Sequence, residues 1–203
     1  INLQDESRDY MTFGEAKKYF NRHLVQYREW ENAIGEHIVR TLQPASMIDL
    51  GCGVGSYLEG CLRAQCTDVL GIEIAFDVAK LYFVKEVEPY IRYGDVTADL
   101  NLNRTFNCVM SFEVAEHIDG QRTNNFIKNL TELTNDHIIL TAAPPGQIGR
   151  GHNNLRPKAF WINEITSMGF EYKEDVVNIF VSAWKEFNAP YYILTNLMVF
   201  KKI

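Results

Sequence analysis

Residues 47–55 read MIDLGCGVG, an apolar run followed by three glycines at alternate positions, Gly51, Gly53 and Gly55. The run is typical of a buried strand, and glycines permit positive φ angles and close approach of a ligand to the backbone. In an open α/β sheet, ligands bind beyond the carboxyl ends of the strands. The stretch therefore predicts a strand that ends in a ligand-binding loop.

The spacing of the glycines limits the classes of ligand that this loop could bind. A phosphate-binding P-loop requires Gly-Lys-Ser/Thr after the glycines, but residues 54–57 read VGSY and contain no lysine. A dinucleotide loop follows the pattern GxGxxG, whereas here the third glycine comes one residue early. We therefore expect a nucleoside that carries no pyrophosphate.

Strand-like and helix-like segments alternate along the chain. Strands are predicted at residues 47–50, 68–74, 90–93, 106–112, 137–142, 170–177 and 196–201. Helices are predicted from a Thr12 cap with Glu15 to Tyr27, and at residues 29–42, 57–64, 76–86, 120–133 and 157–168. This alternation predicts a mostly parallel sheet covered by helices on both faces, with the last two strands antiparallel at one edge.

Composition limits the function. The 203 residues are 46% hydrophobic and 23% charged, which suits a globular domain, and no apolar run reaches the ~20 residues of a membrane span. The net charge of −6 and the lack of a basic run argue against nucleic acid and favour a small-molecule partner. The N-terminus is acidic rather than signal-like, and it begins with Ile, so we expect that the natural chain starts earlier.

The spacing of the cysteines indicates the redox state of the cellular compartment. Cys52, Cys61, Cys66 and Cys108 show no paired or metal-binding spacing. We therefore expect free thiols in a reducing, cytoplasmic location.

The run IDLGCGVG resembles the first motif of class I S-adenosylmethionine-dependent methyltransferases, in particular their small-molecule branch of types 11 and 12. The resemblance extends from about Glu29 to Lys201 and implies a Rossmann-like, seven-stranded sheet with an antiparallel last strand. It also implies that S-adenosylmethionine is the cofactor and S-adenosylhomocysteine the product. The domain is expected at residues 44–203, preceded by a helical lid at residues 1–43.

The resemblance assigns cofactor contacts to this sequence. Glu73, about 20 residues past the glycines, would accept hydrogen bonds from both ribose hydroxyls, and Asp95 would accept one from the adenine amino group. Taken alone, Glu73 is equally compatible with a solvated strand end, and Asp95 with a turn closed by Thr97. The full implied set is Asp49, Gly51, Gly53, Gly55, Glu73, Ile74, Asp95, Val96, Phe112 and Glu113.

A second informative stretch, FEVAEHIDG, follows the fourth predicted strand. Glu113, Glu116 and His117 have the spacing of one face of a helical turn, and RGHNN in the next loop supplies His152. His117, with His152, is the candidate general base or substrate-positioning group. Alternatively, Glu113, Glu116, His117 and His152 bind a divalent metal, as in the similar small-RNA 3′-terminal 2′-O-methyltransferases. A third interpretation is an exposed first helical turn whose acids favour the helix N-terminus.

The lid and the loop offer further candidates. Tyr10, Phe13, Tyr19 and Tyr27 are candidates to close on the substrate, although aromatic residues at helical spacing are more often core. Arg150 and Arg156 flank His152 and are candidates for an anionic group of the substrate, although loop arginines are usually solvated.

The sequence therefore predicts O-methylation of a small-molecule acceptor. Two alternatives stay open: a nucleic-acid 2′-O-methyltransferase with a metal site, and a protein that binds the cofactor without transferring its methyl group.

Overall fold

The computed structural model describes residues 12–203, which form one seven-stranded sheet with helices on both faces. The strands are β1 (Ser46–Leu50), β2 (Asp68–Glu73), β3 (Ile91–Tyr93), β4 (Phe106–Phe112), β5 (Thr134–Thr141), β6 (Phe170–Tyr172) and β7 (Met198–Lys202). The helices are α1 (Phe13–Arg22), α2 (Arg28–Leu42), α3 (Ser56–Arg63), α4 (Phe76–Ala79), α5 (Thr123–Glu132), α6 (Lys158–Ser167), α7 (Glu174–Glu186) and α8 (Tyr191–Asn196).

The strand order is β3-β2-β1-β4-β5-β7-β6. β1 pairs in parallel with both β2 and β4, whereas β7 is antiparallel to β5 and β6. This order confirms the predicted fold class. Because the chain runs outward in both directions from β1 and β4, the carboxyl ends of these two strands are the switch point at which such sheets bind ligands.

Successive side chains of the central strands enter two different cores. Met47 of β1 packs in the core that contains Ile34 of α2 and Trp184 of α7, whereas Ile48 packs with Phe126 of α5 and Trp161 of α6. All five residues of β1 are buried, as expected for a parallel strand covered on both faces. The sheet is therefore a rigid platform whose loops carry the polar residues.

The N-terminal helical segment begins at the predicted cap. The Thr12 hydroxyl accepts from the Glu15 amide, and the Glu15 carboxylate accepts from the Thr12 amide at 2.8 Å, which makes a capping box. Between α1 and α2, residues His23–Tyr27 form a π-helical turn. Such turns occur mostly as interruptions of α-helices, often near functional sites.

Two predicted elements are wrong in extent. The helix expected at residues 76–86 ends at Ala79, because the chain turns there and Val84 donates to the Val54 carbonyl of the glycine loop. The strand expected at residues 170–177 ends at Tyr172, and its second half belongs to α7, whose Val177 and Phe180 pack into the core. The β-branched residues of α7 suggested a strand, but burial of one helical face decides the structure.

Among the described helices, none combines the length and apolar character needed to cross a membrane.

Candidate active site

A cavity of about 1520 Å³ opens at the carboxyl ends of the central strands. Its lining comes from the glycine loop, the ends of β2 and β4, the loop after β5, the N-terminal helical segment and α8. Ligand pockets usually measure about 300–1000 Å³, so this cavity has room for two molecules side by side.

The three glycines of the loop have different reasons to be glycine. Gly51, Gly53 and Gly55 all have positive φ, at 87°, 56° and 86°. A Cβ at Gly51 would lie 2.5 Å from Val114 Cγ2, and a Cβ at Gly55 would lie 2.5 Å from Val87 Cγ2. Only at Gly53 would a Cβ meet no atom within 4 Å. Packing of protein side chains therefore excludes larger residues at two positions, and Gly53 alone presents bare backbone to open space.

Cys52 packs beneath the glycine loop, against β2. Its Sγ lies 2.6 Å from the position that a Cβ of Gly71 would occupy. All four cysteines are free and buried, and burial raises the pKa of the Cys52 thiol.

Glu73 ends β2 and is only 7% exposed, so it is not a solvated strand end. Its Oε2 accepts from the Gly53 amide at 2.9 Å, and its Oε1 accepts from the Ala75 amide at 2.8 Å. Burial raises the pKa of Glu73, and these amides oppose the rise. The carboxylate lines the cavity and fixes the shape of the glycine loop.

Asp95 forms the predicted turn with Thr97, and its contact with adenine stays a prediction. Its Oδ1 accepts from the Thr97 amide and hydroxyl, which is the predicted turn, and its Oδ2 pairs with Arg122 at 3.0 Å. These hydrogen bonds outweigh partial burial and hold its pKa below the usual value. Asp95 and its buried neighbour Val96 nevertheless line the cavity, together with the exposed Ile74.

Asp49 and Phe112 meet at the switch point. Asp49 is 1% exposed, and its Oδ2 has no hydrogen-bond partner. Burial raises the pKa of Asp49 well above the usual value, and the charges of Glu73 and Glu31 add to the rise. The ring of Phe112 stacks on Tyr57 with centroids 4.3 Å apart, which gives this part of the cavity an aromatic wall.

Glu113 does not lie on a helix. Its φ of +53° is rare for a residue other than glycine and reverses the chain after β4. Its Oε1 accepts from Asn196 Nδ2 and its Oε2 from Gln147 Nε2, each at 3.0 Å. Asn196 also donates to Gln147 Oε1 at 3.0 Å, so β4, α8 and the loop after β5 are joined at one point.

Glu116 contradicts the interpretation as an exposed helical turn. It lies in a single 3₁₀ turn, Ala115–His117, and is 0% exposed. Neither carboxylate oxygen has a hydrogen-bond partner. Burial, with the neighbouring Glu113, raises the pKa of Glu116 to about 8. A buried and unpartnered carboxyl group is costly for the fold, and groups of this kind are often found at functional sites.

The two histidines lie beside Glu116. The rings of His117 and His152 meet edge to face with centroids 5.0 Å apart. His117 Nδ1 lies 3.0 Å from the Gly151 carbonyl and His152 Nδ1 2.9 Å from the Gln147 carbonyl. Because a carbonyl only accepts, each Nδ1 is the hydrogen-bond donor, and in the neutral form of such a ring the lone pair lies on Nε2. His117 keeps an exposed edge, but the partial loss of solvent around its ring and the neighbouring His152 lower its pKa.

Three of the four predicted metal ligands come together. The cluster contains Glu116, His117 and His152, and each residue offers one possible ligand atom. These three atoms lie within 4.8 Å of one another. Glu113 is not in this group, because Gln147 and Asn196 bind its carboxylate.

The predicted arginines have protein partners. Arg150 pairs with Glu15 of α1, and Arg156 donates to Asn154 Oδ1 at 3.0 Å and lies over the Phe160 ring. Tyr19 and Tyr27 line the cavity, Phe13 is mostly exposed, and Tyr10 lies outside the described residues.

Sequence reasoning missed Gln147, Asn196 and Glu31. The two amides lie in a loop and in a short helix far apart in the chain, and no local pattern joins them. Glu31 did carry a signal, since it occupies the same helical face as the buried Ile34 and Ile38.

The family assignment comes from the sequence. Residues 22–145, more than half of the chain, match a family model described as "Methyltransferase domain". None of the curated proteins matches this chain.

Solved structures share the fold. An O-methyltransferase family protein from Burkholderia thailandensis aligns over 100% of this chain with a TM-score of 0.64 and 13% identity, and the chain spans 63% of that protein's length. A SAM-dependent methyltransferase from Archaeoglobus fulgidus aligns over 91% of this chain and 99% of its own, with a TM-score of 0.62 and 17% identity. Magnesium protoporphyrin IX methyltransferase from Synechocystis PCC 6803, solved with bound SAH, aligns over 81% of this chain and 80% of its own, with a TM-score of 0.55 and 18% identity.

The strand order, the glycine loop and the family match agree with one another: the chain belongs to the class I S-adenosylmethionine-dependent methyltransferases.

Proposed function

We propose that this enzyme methylates a hydroxyl oxygen of a small-molecule acceptor. The observation that carries the proposal is the cluster of Glu116, His117 and His152 at the end of the cavity beyond β4 and β5. It places two imidazole rings beside a carboxyl group, and a neutral imidazole is able to take a proton from a hydroxyl.

The cofactor fits the residues at the other end of the cavity. The bare backbone at Gly53 leaves room for its amino-acid portion, and the orphaned Asp49 Oδ2 offers an acceptor to a cation. Glu73 would accept from the ribose hydroxyls, while Asp95, Val96 and Ile74 would surround the adenine. When bound, the cofactor supplies a methyl group on a positively charged sulfur.

His117 is proposed as the general base, with His152 as its neighbour. Hydrogen bonding to the Gly151 carbonyl fixes the His117 ring with the Nε2 lone pair available. The lowered pKa keeps the imidazole neutral at pH 7, so His117 Nε2 can accept the proton of the acceptor hydroxyl. The Glu113 contacts to Gln147 and Asn196 stabilise the loop that carries His152.

A second candidate mechanism uses a divalent metal. It is favoured by the orphaned Glu116 carboxylate and by the two Nδ1 groups that donate to backbone carbonyls, an arrangement common for metal-binding histidines. A bound divalent cation would lower the pKa of the acceptor hydroxyl, which suits a vicinal diol, a catechol or a nucleic-acid 2′-hydroxyl. The net charge of −6 favours the small molecule.

The predicted lid of residues 1–43 stays a proposal for its described part, residues 12–43, over the domain at 44–203, and residues 1–11 lie outside the described residues. The Glu15–Arg150 pair joins α1 to the loop that carries His152, and Tyr19 and Tyr27 line the cavity beneath. The family match begins at residue 22, inside this segment. The small-molecule branch and a cytoplasmic location, supported by four free cysteines, stay predictions.

The two mechanisms are separable by experiment. Release of S-adenosylhomocysteine is measured over hydroxylated small molecules and a short RNA, with and without chelator. General-base catalysis predicts activity that survives chelation and falls in His117→Ala. The metal mechanism predicts that chelator abolishes activity and that Mg²⁺ or Mn²⁺ restores it. It also predicts Mn²⁺ binding in calorimetry, which His152→Ala should abolish. The control His137→Gln, at the far end of β5, should retain Mn²⁺ binding. No methyl transfer to any acceptor oxygen would contradict both.

A further inference from the structure

Three buried acids line the same cavity. Asp49, Glu31 and Glu73 are 1%, 2% and 7% exposed. Glu73 is satisfied by two backbone amides, whereas Asp49 Oδ2 has no partner. Within residues 12–203, no lysine or arginine forms an ion pair with any of the three, and Glu31 pairs only with His23. Buried acids without a full-charge partner are expensive, so the cavity is suited to a cation.

Glu31 reaches the cavity from the lid rather than from the sheet. It follows the π-helical turn His23–Tyr27, and His23 Nδ1 lies 2.7 Å from Glu31 Oε1. The His23 ring is in turn held between Tyr19 and Tyr27, with centroid distances of 4.5 and 5.0 Å. This packing orients the Glu31 carboxyl group and ties it to the segment that covers the cavity.

The surroundings of these acids match an ammonium group next to a sulfonium. Asp49 and Glu31 are both buried and both line this cavity, so two carboxyl groups face the same space. Trp30 and Tyr57 lie edge to face at 6.1 Å, and Tyr57 stacks on Phe112, so aromatic rings border this region. Carboxylates bind ammonium groups, and aromatic faces attract cations such as a sulfonium.

We propose that Glu31, oriented by His23, binds the α-ammonium group of the cofactor's amino-acid portion together with Asp49. This inference rests on the proposed cofactor site and adds a contact supplied by the lid. A residue of α2, outside the glycine loop and the sheet, would therefore complete the cofactor site.

The test compares two ligands that differ in the amino-acid portion. S-Adenosylhomocysteine carries the ammonium, whereas 5′-methylthioadenosine retains the nucleoside and the sulfur but lacks it. Calorimetry measures both affinities for the wild type, for Glu31→Gln and for Glu29→Gln, a matched control on an exposed position of the same helix. Glu31→Gln is expected to weaken the binding of S-adenosylhomocysteine at least tenfold. Its affinity for 5′-methylthioadenosine should stay within about twofold of the wild-type value. Glu29→Gln is expected to change neither.

Equal loss for both ligands would mean a general structural effect and would overturn the assignment, as would unchanged affinity for S-adenosylhomocysteine. If Glu31→Gln does not fold, His23→Gln serves instead, because it keeps the carboxylate but removes the ring that orients it. We expect a smaller loss of affinity that is again selective for S-adenosylhomocysteine. The absence of this loss would overturn the assignment. A wild type that binds neither ligand would instead remove the proposed cofactor site itself, so the two failures are distinguishable.

Discussion

Replacing Glu73 with glutamine is expected to weaken S-adenosylhomocysteine binding at least tenfold. Each oxygen of Glu73 accepts one backbone amide, from Gly53 at 2.9 Å and from Ala75 at 2.8 Å. A glutamine keeps one oxygen but directs an amide NH₂ at the second donor, so one charge-assisted hydrogen bond, worth about 1.5–3 kcal/mol, is lost. The bond to a ribose hydroxyl also loses its charge, and about 1.4 kcal/mol corresponds to tenfold in affinity.

The same substitution should also lower the stability of the free protein, by a modest amount. Burial already makes the ionised Glu73 costly, as its raised pKa shows, and a neutral glutamine removes that cost. We expect a net destabilisation of about 1–2 kcal/mol, or a melting midpoint lower by roughly 2–8 °C for a chain of this size. The assays are calorimetry with S-adenosylhomocysteine and thermal unfolding, with Glu132→Gln on the surface as the control. A folded Glu73→Gln protein with affinity within twofold of wild type would refute the assignment.

Four further substitutions test the glycine loop and the Glu116–His117 turn separately. Gly53→Ala should abolish cofactor binding while lowering the free energy of unfolding by only about 1 kcal/mol. Gly55→Ala, whose Cβ would collide with Val87, should lower it by about 2–4 kcal/mol. Comparable losses of stability in the two variants would contradict this contrast. Glu116 has a folded pKa of about 8, raised above its unfolded value near 4.5, so its contribution to stability is full below pH ~4.5 and is lost as pH rises toward 8. With chelator present, the stability of Glu116→Gln relative to wild type should therefore increase as pH rises. A difference in stability that does not change with pH would contradict a raised pKa for Glu116. His117→Ala should reduce turnover by about 10²–10⁴-fold with cofactor affinity unchanged, and an unaltered rate would remove it from catalysis.

The sheet was predictable because its strands are short apolar runs that end at glycines or acids. β4 was predicted with its bounds correct, and the first and fifth strands to within a few residues. The helix over residues 174–186 was not, because its β-branched residues resemble a strand until the packing of Phe180 and Trp184 is known. Burial against the rest of the fold, which no local pattern contains, decides such segments.

The site was predictable where one motif contained it. The glycine loop and Glu73 are 20 residues apart and meet because β1 and β2 are neighbours. The meeting of Glu116, His117 and His152 was expected from loops on adjacent strands, but the burial of Glu116 was not. The link between Glu113 and Asn196 joins residues 83 apart in the chain, so it depends on tertiary packing alone.

A crystal structure with S-adenosylhomocysteine tests the central claim most directly. We expect the ribose hydroxyls within hydrogen-bonding distance of Glu73 and the amino-acid portion over Gly53. The sulfur is expected to face Glu116, His117 and His152 across the cavity. A nucleoside bound elsewhere, or a sulfur directed away from these three residues, would contradict it.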